Sequence, residues 1–227
     1  MPRPERPSTI HATQMPERGA ALVLFPIAAT VLFYCSPITF RQHQLYQFLP
    51  QLFAYAALLL WGSLNPGSGQ RLGLTLTLLP QGLRLGLAAG LLLGSINTLV
   101  ILYLVPYFGG EYRFLADTPH AKIPMWIMLP WFIGFIAVMV ELNFRGFLLG
   151  RLLALKFPPF TAVLTSTLLF AFDPFLVATF QQLHWIAVWD GLVWATLWIT
   201  FRNLHITIVA HAVEVMVLYG VIRTVLA

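Results

Sequence analysis

The sequence predicts an all-α fold, a polytopic bundle of about seven transmembrane helices, and three observations carry that expectation. Of the 227 residues, 59% are hydrophobic and only 9% charged, with a mean hydropathy of +0.79. A soluble domain carries about a quarter charged residues and could not cover this much apolar surface. The apolar residues recur in windows of the roughly 20 residues that a helix needs to cross a hydrocarbon core. The basic residues between those windows are unevenly shared, as they are when one membrane face is cytoplasmic. The same arithmetic excludes disordered, collagen-like and disulfide-stapled chains. The net charge of +5 comes from Lys and Arg scattered among loops. No basic stripe forms, so no nucleic-acid partner is expected. The single cysteine, Cys35, reads as a small apolar residue at a helix end.

Residues 1–18 are rich in Pro, Arg, Glu and Thr without apolar periodicity. They read as a disordered cytoplasmic tail, and residues 19–227 as a single integral membrane domain. Spans are expected at about 20–36, 46–64, 82–106, 124–142, 160–180, 185–201 and 204–222. The first has the basic flank of a signal peptide, but it holds Pro26, runs into Phe33 and Tyr34, and lacks a small-residue cleavage site. An uncleaved anchor is expected. Over residues 72–78 Leu alternates with Gly or Thr and imitates a strand; a lone strand cannot satisfy its backbone in lipid, so the segment reads as interfacial or re-entrant. Gly86, Gly90 and Gly94 in the third span form a small-residue stripe for close helix packing, a device repeated by Gly146 and Gly150. The fourth span is expected to continue as one helix to about residue 155. With the N-terminus inside, Arg3, Arg6, Arg18, Arg71, Arg84, Arg151, Lys156 and Arg202 fall on the inner side. Arg41, Arg113, Lys122 and Arg223 fall outside, and this eight-to-four bias places the N-terminus in the cytoplasm.

Ionisable groups in a hydrocarbon zone cost about 2.5–3.5 kcal/mol each, so each needs a reason to be there. The set is Glu141, Arg145, Asp173, His184, Asp190, His205, His211 and Glu214, with Asn97 and Asn143 as uncharged companions. Most fall in the last four spans, which points to the C-terminal half for any chemistry. Glu141 and Arg145 share a helical face at i and i+4. They read either as a carboxylate oriented by a guanidinium in a polar cavity, or as a self-neutralising pair whose Arg145 snorkels to the interface. His211 and Glu214 share a face at i and i+3, and could serve as base, metal ligand or proton relay, or simply join two helices by a hydrogen bond. Asp173 precedes Pro174, where a broken helix opens a polar notch. His184 and Asp190 flank a short turn and read as facing water. At about 1.5 Å per residue, His211 lies roughly 10 Å and Glu141 roughly 15 Å from the inner side, depths that permit one cytoplasm-facing cavity.

The string Val140-Glu141-Leu142-Asn143-Phe144-Arg145-Gly146 resembles the first signature, Glu-Glu-x-x-x-Arg, of the CPBP family of CAAX proteases and bacteriocin-processing enzymes, also called Abi. Leu168-Leu169-Phe170-Ala171-Phe172-Asp173 is similar to its Phe-x-x-x-His signature. Residues 191–211, ending in Ile208-Val209-Ala210-His211-Ala212, resemble its last region, where a turn between two helices leads into His-x-x-x-Asn. A competing match to the second signature, Phe180-Gln181-Gln182-Leu183-His184, stands only 27 residues before His211. The resemblance covers residues 124–222. It implies a helical intramembrane protease fold in the bacterial inner membrane, no metal and no other cofactor. It also implies a water activated by the first Glu and the second-motif His, with an oxyanion held by the last His and Asn. Those four positions are here Val140, Asp173, His211 and Val215, so three of the four are changed.

Glu141, Arg145, Asp173 and His211 are therefore the candidate catalytic residues of a degenerate motif. On a helix Glu141 is turned about 100° from Val140, so without a local bulge it cannot take the missing base's place. The favoured reading is a catalytically weak or silent relative: a membrane subunit, assembly factor, or binder of a helix or lipid tail, embedded in the bilayer beside a membrane-protein partner. The alternatives are an active endopeptidase acting on a transmembrane-helix substrate through a rearranged Glu141/Asp173/His211 site, and a small transporter or proton relay. No inverted repeat supports the last.

Overall fold

The computed structural model describes residues 16–226, and among them every regular element is helical. The chain runs through α1 (Leu24–Cys35), α2 (Leu49–Leu64), α3 (Leu79–Leu99), α4 (Met125–Ala154), α5 (Pro159–Ala171), α6 (Pro174–Phe180), α7 (Ile186–Phe201) and α8 (Leu204–Val225). Four stretches are each long and apolar enough to cross a membrane: Gln44–Leu64, Ser68–Tyr107, Met125–Ala154 and Leu204–Val225. α5 and Pro174–Phe201 pass that test together as a pair bent by 54°. The expected first span is the shorter Ala20–Cys35. Outward-facing side chains are apolar, as lipid contact requires, with Leu59, Phe160 and Trp126 among the most exposed.

Hydrogen bonds sort the helix ends into two groups. At one end, here the basic end, Glu17 accepts from the Trp61 indole and pairs with Arg151 and Arg71, while the Arg151 guanidinium stacks 3.9 Å over the Trp61 ring. Arg18 and Asn65 exchange two hydrogen bonds, of 2.9 and 2.8 Å. Of the expected tail, then, Glu17 and Arg18 are tied to the bundle, and residues 1–15 lie outside the described residues. The 72–78 segment is the link at this end, expected from sequence as interfacial or re-entrant. The Gly73 carbonyl accepts from the Leu204 amide at 3.1 Å, and the Leu72 carbonyl from the Trp198 indole at 3.3 Å. Gly73 has φ of 81°, and a Cβ there would collide with the Arg202 carbonyl, so this crossing needs glycine. At the opposite end Thr118 bonds Tyr219 at 2.9 Å, Gln182 donates to the Glu111 carbonyl, and Arg223 donates to the Ile123 carbonyl.

α3 and α8 form the closest helix pair. The glycine stripe faces α8 and extends one turn further back, to Gly82. A Cβ on Gly90 would lie 2.6 Å from the Ala210 carbonyl oxygen, and one on Gly86 would lie 2.6 Å from Val209 Cβ. Without side chains at four-residue spacing, the two backbones approach and gain dispersion contact that lipid cannot replace. α5 and α7 pack side by side, and with α4 they surround a core of Phe144, Phe147, Leu149, Phe170, Trp194 and Trp198.

Candidate functional site

α4 is one helix to Ala154, as its composition predicts, but it alternates α turns with π turns over Phe132–Ala137 and Leu142–Leu149. A π turn widens the backbone and breaks the usual bonding order, and such turns recur at functional sites. Ser166 of α5 donates to the Phe144 carbonyl at 2.8 Å within this widened stretch.

The two residues at the start of the π stretch part company. Glu141 is fully buried, and Val140 lines a cavity. Glu141 Oε1 accepts from Arg145 at 3.1 Å and from His211 Nδ1 at 3.0 Å. The Arg145 side chain is also wholly buried, so it does not snorkel as one sequence reading had it. Its guanidinium carbon lies 4.4 Å from the Phe170 ring centroid and 5.0 Å from that of Trp194, a cation–π cage that offsets part of its lost hydration. The His211 ring stacks on Trp194 with centroids 4.5 Å apart and planes 20° from parallel. With Nδ1 committed to Glu141, Nε2 is the ring nitrogen left to serve a ligand.

That ligand space is a cavity of about 480 Å³ between α2, α4, α6 and α8, within the range of small-molecule pockets. Its wall is largely apolar and rich in aromatic rings, including Phe48, Tyr55, Trp131, Phe135, Phe144 and Phe170. Val140, Asp173, His211 and Val215, the four positions that the signatures single out, all line it. Asp173 sits at the break between α5 and α6 and caps α6. Its Oδ1 accepts from the Phe175 and Leu176 amides at 3.1 and 3.2 Å and from Gln51 Nε2 at 2.8 Å. Pro174 at the first helical position fits this cap, since its missing N–H would have had no partner there. Gln51, from a span that seemed to hold nothing chemical, is a site residue that no sequence pattern marked.

The cavity lies toward the helix ends opposite the basic end, and its outer wall is built by Phe48, Ile123, Trp131 and Phe180. Depth along a helix gives distance from an end, not the side on which neighbouring helices splay.

A second polar group lies behind His211. Asn97 Nδ2 donates to Asp190 at 2.9 Å and to Glu214 at 2.6 Å, joining α3, α7 and α8. Asp190 is buried, which corrects the reading that it faces water. Its turn of α7 points inward because Gly191 beside it lets α7 close on Thr167 of α5. His184 lines a smaller cavity of about 100 Å³ together with Asp190, His211 and Glu214, rather than the main one. The competing match through His184 therefore lies off the main site. Among the described residues no set of three His, Cys, Asp or Glu side chains is placed to hold a metal ion.

Residues 122–217, which run from the start of α4 past His211, match the family model described as type II CAAX prenyl endopeptidase Rce1-like. No curated protein and no solved structure matches the chain. Over residues 122–217, from the start of α4 into α8, the segment that supplies most of this site is thus similar to the type II CAAX prenyl endopeptidases.

Proposed function

We propose that this membrane protein is a catalytically silent relative of the CAAX endopeptidases that holds an apolar polypeptide segment of a membrane partner in its main cavity. One observation carries this reading: where the family's chemistry needs a base and an oxyanion donor, the cavity wall carries the methyl groups of Val140 and Val215. A general base must reach the water that it deprotonates, and an oxyanion needs donors aimed at it. Glu141 is enclosed with Arg145 on the far side of α4, and Asp173 Oδ1 already accepts three hydrogen bonds. The polar groups that remain favour a peptide over a lipid tail. Hydrocarbon would offer nothing to Asp173 Oδ2, which takes none of those three bonds, or to His211 Nε2, whereas a peptide brings N–H and C=O groups to both.

The test uses the protein in nanodiscs with synthetic apolar transmembrane peptides carrying a nitroxide quencher. Binding is expected to quench fluorescence from Trp131, to be lost in Val140→Trp, which fills the cavity, and to leave the peptides intact. A second reading has one observation in its favour: Glu141 holds His211 Nδ1 as a carboxylate holds a catalytic histidine, with Asp173 in the same cavity. Peptide fragments that appear with the wild type and vanish in His211→Ala would replace the silent reading with that one.

A further inference from the structure

The two ends of the bundle differ in whether anything can pass. From the cavity floor at His211, Phe144 and Phe170 toward the basic end, the interior is filled. The Glu141–Arg145 pair comes first, then Phe147, Leu149 and Trp198, each at most 1% exposed. Below them the chain links are locked by Leu204 to Gly73, Trp198 to Leu72, and Asn203, whose amide donates to the Leu78 carbonyl at 2.9 Å. Glu17 closes the remaining corner between Arg71, Arg151 and Trp61. The cavity itself lies toward the opposite end. The cavity wall continues to Ile123, Phe48 and Trp131, and its flanks carry half-exposed Leu52 and Phe135.

The charges say which end is which. The bonded contacts put Arg18, Arg71, Arg151 and Arg202 at the plugged end, and Arg223 at the other, beside the Ile123 turn that follows Arg113 and Lys122. With Arg84 and Lys156 on the plugged side and Arg41 on the other, the described basic residues other than Arg145 divide six to four in the same sense as the bias read from the sequence, and the basic side of a membrane protein is the cytoplasmic side. We infer that the cavity is sealed from the cytoplasm and is reached from the opposite face of the membrane, so that the segment it receives belongs to the non-cytoplasmic part of a membrane-anchored polypeptide. The inference rests on the binding role proposed above and specifies its partner: a chain already inserted or exported, not a cytosolic one.

Cysteine accessibility in a bacterial host tests it. In a Cys35→Ser background, Val140→Cys reports the cavity, Asp117→Cys the open end and Lys156→Cys the basic end. A membrane-impermeant maleimide added to spheroplasts is expected to label Asp117→Cys and Val140→Cys and to miss Lys156→Cys; in inside-out vesicles the pattern reverses. An excess of the apolar peptide should slow labelling of Val140→Cys alone. Labelling of Val140→Cys from the inner face only would overturn the access inference and leave the binding role standing. Failure of Val140→Cys to react from either face or in detergent, while the two end markers react, would remove the cavity, and the binding role with it.

Discussion

The plugged half and the open half of this bundle use the same kinds of side chain for opposite ends. In the plugged half Glu141 accepts from Arg145 and from His211 Nδ1 beside Phe170 and Trp194, and the space from there toward the basic end is filled. In the open half Asp173 is held just as firmly, by Gln51 and two amides, yet its neighbours stand back and leave about 480 Å³. A buried, hydrogen-bonded polar group marks a site only when something beside it has been left unfilled. Burial alone does not separate Glu141 from Asp173.

The largest expected effect separates the halves directly. Arg145→Met leaves the Glu141 carboxylate buried with its guanidinium gone, and should cost about 3–5 kcal/mol of stability, read by unfolding in mixed detergent micelles. Glu141→Gln in the same chain should recover most of that loss. If Arg145→Met is tolerated with little change, the plugged half is not held by this pair. Next in size, Gly90→Leu forces a side chain into the Ala210 backbone and Val213. It should destabilise by about 3 kcal/mol or more, whereas the same swap on a lipid-facing position should do little. Asn97→Leu removes the amide shared by Asp190 and Glu214 and should cost about 1–3 kcal/mol. It should leave peptide quenching at the main cavity intact, because Asn97 lines only the smaller one.

The smallest effect belongs to the exposed loop at the open end. The Arg113 amide, and after it the Tyr112 amide, donate to Glu111 and hold its carboxyl below the ordinary carboxylate range. A depressed carboxyl contributes its bonds above its unfolded value and loses them as pH falls through its folded value. Protection of the Tyr112 and Arg113 amides, taken relative to the intrinsic exchange rate at each pH, should therefore fall on acidification below the usual glutamate range and stay constant above it. In Glu111→Gln that dependence should disappear, with the rest of the bundle unmoved.

Much of this was legible in the chain. The helical membrane class, the long α4, the glycine stripe on α3, and the notch at Asp173-Pro174 all follow from local rules: apolar length, small-residue spacing, and proline's missing donor. What the sequence could not settle is anything decided by how helices rotate about their own axes. Val140 and Glu141 are neighbours, and only packing against α5, α7 and α8 put the apolar one in the cavity and the acid in the core. Gln51 and Asp173 are 122 residues apart, and Glu141 and His211 are 70 apart. No periodicity links such pairs, because each helix satisfies its own backbone and leaves its side chains to whichever neighbour the tertiary fold brings. Asp190 turned inward for the same reason: beside Gly191 it found Asn97 and Glu214, partners that a polar residue near a turn does not announce.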